Sequence, residues 1–264
     1  MSYWKLPIIM MSEIVSSRAD STNGHIASYI LRHMDELKND SIRDVAAKAN
    51  VSPSSISRFC RDIGLQDFGE LKNLATSYQP PYQPQTNAIE PKVVLGEYVN
   101  AVTDSLRMVR ESVDMRIIDR LCKDINIFPR VAAFGMMKSE GVAMGLQADL
   151  ALMGKYLYTK LPFSEQLDYL ECADEKDLII IFSYKGVYYD YGFSRQSRKS
   201  KAHRPKVYFI TSDPSAKERR DYDEVIWFNS RQNLSSHPYQ LQLIAGLIAE
   251  RYSQLFASCK PDTD

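Results

Sequence analysis

Between residues 26 and 76 apolar side chains recur at helical spacing. Ile26, Ile30, Leu31, Met34 and Leu37 predict a first helix. Ser41 followed by Asp44 reads as an N-cap with a first-turn acid, opening a short helix over Ile42–Ala49. Ser52-Pro53 is a stronger start signal, a Ser cap with Pro at the first helical position. That helix runs to Ile63 and stops at Gly64, a residue suited to the left-handed C-terminal conformation. Asp67-Phe68-Gly69-Glu70 has capping-box-like spacing for a fourth.

Further on, Val94, Tyr98, Val102, Leu106, Val109 and Val113 mark a long amphipathic helix, and Asp114 can cap another through about Lys123. Strand and helix then alternate. Candidate strands are Val131–Phe134, Tyr156–Thr159, Asp177–Phe182, Lys206–Ile210 and Glu224–Trp227. Candidate helices are Ser139–Met153, Phe163–Leu170, Tyr188–Ser200 and Pro214–Arg219, with Pro238–Phe256 closing the chain. Apolar strands separated by helices imply a parallel sheet covered on both faces. The expected class is therefore α/β: an all-helical N-terminal domain, then a doubly wound, five-stranded parallel sheet.

Prolines 80, 81, 84 and 91 punctuate the stretch between the two patterns, which should be extended and semi-stiff. This divides the chain into 1–78, a linker at 79–92, and 93–264. Charge adds little at this scale. The chain has 33 Lys+Arg and 33 Asp+Glu, and residues 1–78 hold 9 of each, so neither part is basic overall. Composition, 44% hydrophobic and 25% charged, excludes a disordered, collagen-like or coiled-coil chain. The opening residues make a poor signal peptide, because Pro7 interrupts a short apolar stretch with no small-residue cleavage site after it. No apolar run approaches the roughly 20 residues of a spanning helix. Cys60, Cys122, Cys172 and Cys259 lie far apart with no C-x-x-C pair, so neither a zinc site nor a disulfide framework is expected. The protein is expected in the cytoplasm, without membrane contact, metal or cofactor.

Ile42–Arg61 carries the strongest chemical signal. Two short helices meet through Ala49-Asn50-Val51-Ser52, and Val45, Ala49, Val51, Ile56 and Phe59 fall where a helix-turn-helix needs its core. Ala46 is small where the helices approach, and Asn50 tolerates the positive φ of the tight turn. The second helix then exposes Ser52, Ser54, Ser55, Ser57, Arg58 and Arg61, hydroxyl and guanidinium groups suited to phosphates and purine edges. Arg43, Lys48 and Lys72 can join them on one face, while Cys60 should pack inward.

Ser41-Ile42-Arg43-Asp44-Val45-Ala46, the run Val51-Ser52-Pro53-Ser54-Ser55-Ile56-Ser57-Arg58-Phe59-Cys60-Arg61-Asp62-Ile63-Gly64, and Phe68-Gly69-Glu70-Leu71-Lys72 together resemble the N-terminal domain of RpiR-family bacterial transcription regulators. The resemblance extends in layout over about residues 20–258. It implies an operator-binding homodimer or homotetramer and a C-terminal sugar isomerase (SIS) domain that senses phosphosugars.

In such a domain a ligand phosphate sits where parallel strands end and helices begin, at unsatisfied N–H groups. The segment around Gly135 and Ser139 resembles the family's Gly-x-Gly-x-Ser loop, with Met137 in place of the second Gly. The segment Ser183-Tyr184-Lys185-Gly186-Val187-Tyr188 resembles its Ser-x-Ser-Gly-x-Thr phosphate loop. Ser183 and Gly186 fit, but Lys185 replaces the second Ser and Tyr188 the Thr. Three outcomes stay open: Lys185 pairs directly with a phosphate; another anion or sugar derivative binds, stacked on Tyr184, Tyr188 or Tyr189; or the bulky side chains close the pocket and leave a dimerisation domain. Ile210-Thr211-Ser212-Asp213 resembles a further strand exit.

Arg195, Arg198, Lys199, Lys201, His203, Arg204 and Lys206 form the densest basic run, read as a solvated helix and loop. An isomerase needs a general base of tuned pKa. Glu140 has no evident catalytic partner, and His237, before Pro238, reads as the start of the last helix. A non-enzymatic regulator that binds operator DNA and an anionic sugar metabolite is therefore expected.

Overall fold

The computed structural model describes residues 5–18, 20–76, 87–191, 203–219, 222–231, 233 and 236–257. Pro80, Pro81, Pro84, Cys259, most of the Tyr188–Ser200 helix and the basic residues 195–201 lie outside them. In chain order the helices and strands are α1 (Lys5–Ser16), α2 (Thr22–Arg32), α3 (Ile42–Lys48), α4 (Pro53–Asp62), α5 (Phe68–Thr76), α6 (Pro91–Ser112), α7 (Met115–Ile127), β1 (Arg130–Gly135), α8 (Lys138–Leu152), α9 (Phe163–Cys172), β2 (Asp177–Phe182), β3 (Lys206–Thr211), β4 (Glu224–Trp227) and α10 (Tyr239–Tyr252). Tyr188–Tyr191 and Pro214–Glu218 are short 3-10 turns. The described residues divide into two compact units, one drawn from 1–81, 160–172 and 189–198, the other from 82–159, 173–188 and 199–264.

The first unit is helical. Ile26, Ile30, Leu37, Val45, Ile56, Phe59, Ile63 and Leu71 are all withdrawn from solvent, so the spacing-three-and-four stripe read from sequence is the core. Helix α1 adds Leu6, Ile9 and Met10 to it. Pro7 does not break this helix, because it falls in the first turn, where an N–H has no acceptor to lose. α9 also belongs to this unit. The Glu13 carboxylate accepts from the Ser164 N–H (3.1 Å) and hydroxyl (3.2 Å), capping α9 from a side chain of α1. The Ser12 hydroxyl donates to the Leu161 carbonyl at 2.7 Å. Burial raises the Glu13 carboxyl above its ordinary value, partly offset by the Ser164 bonds.

The second unit is built on a parallel sheet of order β1-β2-β3-β4. Its register runs Arg130↔Asp177 to Gly135↔Phe182, then Leu178↔Lys206 and Tyr208↔Glu224. On one face Val131, Ala133, Leu178, Ile180, Phe182, Tyr208, Ile210 and Ile226 pack with residues of α6, α7, α8 and α10. Ala132, Phe134, Ile179, Ile181 and Phe209 alternate with them and are equally buried, so both faces are covered, as the near-continuous apolar strands predict. Full burial of side chains this large contributes about 1.5–3 kcal/mol each.

The sheet has four strands, not five. Tyr156–Thr159 forms only one parallel bridge, Ala132↔Tyr158. The Tyr158 N–H donates to the Val131 carbonyl (2.8 Å) and Ala133 N–H to the Tyr158 carbonyl (2.9 Å). The ladder stops there because side chains take its next groups. The Thr159 hydroxyl donates to the Ala133 carbonyl (2.7 Å), and the Glu140 carboxylate accepts the Gly135 N–H (2.9 Å). Counted with this bridge, the chain leaves β1 in one direction and β2 in the other. The switch point is therefore at the ends of β1 and β2.

Candidate functional site

Local bonds build the motif over α3 and α4. Ser41 and Asp44 form a reciprocal capping box: the Asp44 N–H donates to the Ser41 hydroxyl (3.3 Å), and the Ser41 N–H to the Asp44 carboxylate (2.8 Å). These bonds hold the Asp44 carboxyl below its ordinary value. After α3, Asn50 takes φ +53 and the Val51 N–H returns to the Ala46 carbonyl (2.9 Å). Ser52 then caps α4, accepting the Ser55 N–H at 3.1 Å, while its hydroxyl also meets those of Ser54 (2.7 Å) and Ser55 (2.9 Å). Ala46, Ala49, Ile56, Phe59 and Cys60 are buried beneath the two helices. Burial pushes the Cys60 thiol up to about 12, so it is a core residue and not a nucleophile.

The outer face of α4 carries Ser54, Arg58 and Arg61, one helical stripe at spacing four and three, with Ser57 half-buried beside them. Arg43, Arg58 and Arg61 are exposed and have no hydrogen-bond or ion-pair partner among the described residues. The other two cations expected on this face are engaged. Lys48 pairs with Asp40 (2.8 Å) and Glu36 (3.4 Å), and the Lys72 ammonium donates to the Asp40 carbonyl (2.9 Å). Three unspent guanidiniums therefore carry the positive charge of the motif.

In the second unit the ends of β1 and β2 hold the other predicted residues. A Cβ on Gly135 would lie 2.6 Å from the Ser139 carbonyl carbon and 2.8 Å from its oxygen, so only glycine lets α8 begin so close to the strand. Met137 has φ +53, where glycine sits without strain, and makes no side-chain cap. Ser139, 4% exposed, meets His237 Nε2 through its hydroxyl at 3.3 Å. Glu140 is fully engaged in holding Gly135 and Thr159.

At the β2 exit, the Ser183 hydroxyl accepts the Tyr188 N–H (3.1 Å), and the Gly186 N–H donates to the Ser183 carbonyl (3.0 Å). Gly186 closes this turn at φ +73. Tyr188 is 1% exposed and packs in the interior instead of facing a ligand. Tyr184 is also buried; its hydroxyl meets Ser230 and donates to Gln240 Oε1 at 3.0 Å, and its ring lies 4.5 Å from that of His237. Lys185 and Lys138 are exposed and without an ion-pair partner among the described residues. Burial, and then the charges of Lys138 and Lys185, lower His237 to about 4, so its imidazole is neutral near pH 7.

His237 and Lys138 were not singled out from sequence as binding residues. His237 reaches Ser139 across 98 positions, and no local pattern marks that pairing. Among the described residues no group of three or more His, Cys, Asp or Glu gathers as a metal site, and no helix is long and apolar enough to cross a membrane.

The capped helix pair with its tight turn and exposed arginines defines a helix-turn-helix domain. Residues 10–81 match the helix-turn-helix domain of the rpiR family, and the chain carries a domain of that family. It is homologous to the HTH-type transcriptional regulator HexR of Pseudomonas aeruginosa, at 28% identity over 188 residues, 66% of this chain and 64% of that protein. The chain thus matches somewhat less than two thirds of the length of this curated relative. In fold it is similar to the Vibrio vulnificus NanR protein solved with ManNAc-6P (TM-score 0.52, 16% identity, 96% of this chain and 93% of that one). The E. coli CFT073 c3406 protein, solved with a bound phosphosugar, is similar over 64% of this chain and 93% of that one (TM-score 0.50, 14% identity). The second unit has this SIS-like α/β fold.

Proposed function

We propose that the chain is a DNA-binding transcriptional regulator, acting in the cytoplasm as a homodimer or homotetramer, whose sheet unit senses a phosphosugar or related anionic sugar metabolite. The division of labour is a reader over 1–78, a linker over 79–92 and a sensor over 93–264. One observation carries the reading: α4, capped by Ser52 and preceded by the turn at Asn50, presents Arg58 and Arg61 without a partner among the described residues. Guanidiniums on the exposed stripe of a second helix contact phosphates or guanine edges in a major groove. The likeness to HexR, and the sugar phosphates bound by NanR and c3406, support the sensor half.

Sensing asks for an anion site, and Lys138 and Lys185 flank the ends of β1 and β2 with Ser139 between them and the core. Coupling of about 1–3 kcal/mol between ligand and operator alters DNA affinity roughly 5–150-fold. Catalysis is not proposed, because Glu140 is held by Gly135 and Thr159 and leaves no free carboxylate base beside His237. Arg58→Ala removes specific operator binding and leaves fold and oligomer unchanged. Unaltered operator affinity in that variant refutes the assignment of α4.

A second reading has its own support. The Ser183 hydroxyl is spent on Tyr188, and the Tyr188 ring fills space that a smaller side chain leaves open. On that reading the sheet unit only dimerises the reader. Thermal shift against a phosphosugar panel, repeated with Lys185→Ala, separates the two.

A further inference from the structure

We propose that His237 is a binding residue of this crevice, becoming a third cation when a tetrahedral dianion seats beside Lys138 and Lys185, so that one proton is taken up with each ligand. The proposal rests on the reading of the sheet unit as an anion sensor and adds to it a residue and a ligand charge.

The geometry comes first. The imidazole is held from two elements: Nε2 is 3.3 Å from the Ser139 hydroxyl in the first turn of α8, and the ring lies 4.5 Å from Tyr184 after β2. Each of the two lysines is the chain neighbour of a residue touching it, Lys138 of Ser139 and Lys185 of Tyr184. Both lysines are exposed and lack an ion-pair partner among the described residues. One residue before His237, the fully buried Ser236 hydroxyl has no hydrogen-bond partner among the described residues, leaving a further donor unspent.

Nearby carboxylates are committed elsewhere. Glu140 binds the Gly135 N–H and Thr159, and Asp213 accepts the Ser215 N–H (3.1 Å) and hydroxyl. From α8 and from the β2 exit, the charges acting on the ring are those of Lys138 and Lys185. The remaining titratable group packed on it, Tyr184, is held above its ordinary value by burial and stays neutral.

Without a ligand an imidazolium here would be a half-buried third positive charge with no counter-charge, which is why the ring stays neutral down to about pH 4. A dianion between the lysines reverses the sign of that field and favours the charged ring. Carboxylates, with one negative charge, are satisfied by the lysines alone. Phosphomonoesters and sulfate bring the second charge that recruits the proton, which comes from solvent.

Sulfate is the probe, because it remains a dianion across the range and its own titration does not enter. Calorimetry of sulfate binding to the full chain, in two buffers of different ionisation heat at pH 5.5–7.5, counts protons directly. The wild type takes up close to one proton per sulfate, and its Kd weakens by up to tenfold per pH unit as pH rises. His237→Gln binds sulfate without uptake and with a flat pH profile. In the wild type itself, the NMR signal of His237 titrates at higher pH once sulfate is present, which keeps the test valid if the variant folds poorly. Sulfate binding without proton uptake, or uptake that persists in His237→Gln, overturns the role of His237 and leaves the anion sensor standing. No binding of either sulfate or glucose 6-phosphate overturns both.

Discussion

Replacing Gly186 by Ala tests the turn that shapes the crevice. At φ +73 an L side chain costs about 1–2 kcal/mol through contact of its Cβ with its own backbone. The added Cβ also lies 2.5 Å from the Asp213 carboxylate and 2.6 Å from its Cβ, far inside ordinary contact. Asp213 cannot simply swing away, because Ser215 holds its carboxylate through both N–H and hydroxyl. Overpacking of this kind costs about 1–3 kcal/mol. Together the two effects predict a loss of about 2–5 kcal/mol in the stability of the sheet unit. Asp213→Gly removes the clash but not the backbone cost, so a double-mutant cycle should give a coupling of about 1–3 kcal/mol. Trp227 in β4 reports on this unit, and a Trp4→Phe background removes the only other tryptophan. Urea unfolding of the four variants, followed by Trp227 emission, supplies the energies. A loss below about 1 kcal/mol for Gly186→Ala, or additivity across the cycle, refutes the geometry.

Two further outcomes follow from the helical unit. Phe59→Ala empties the space between α3 and α4 and should destabilise that unit by about 3–5 kcal/mol, read by thermal unfolding, with loss of DNA binding at the temperatures where it melts. Glu13, raised by burial, favours its protonated form in the fold; its contribution is full below the ordinary carboxylate pKa and is lost as pH rises through the raised value. The stability difference between wild type and Glu13→Gln should therefore fall from about pH 4 towards neutrality, and parallel profiles contradict the burial account.

What was legible in the chain is what short-range chemistry decides. Ser41 with Asp44, Ser52 with Pro53 and Asp114 place helix starts, because each cap bonds N–H groups two or three residues away. Asn50 marks the tight turn by tolerating positive φ. Buried apolar strands also declare themselves, as Leu178–Phe182 does. What was not legible depends on partners far along the chain. Tyr156–Thr159 has a strand pattern, yet Thr159 and Glu140 take the ladder groups it would need. The basic face inferred for Lys48 and Lys72 lacked the knowledge that Asp40 engages both. α9 joins the helical unit through Glu13, 151 residues from Ser164, and His237 meets Ser139 over 98 residues. Pairings at such distances leave no periodicity to read.

The central claim, that α4 reads DNA, is met most directly by selecting bound duplexes from a random pool and measuring their affinity against Arg58→Ala. The account predicts an enriched two-fold sequence with half-sites about one helical turn apart, bound specifically by the wild type and not by the variant. Its neutral helical unit also predicts weak binding to unrelated duplexes. A pool that yields no common sequence, or a variant that binds it as tightly as the wild type, contradicts the claim.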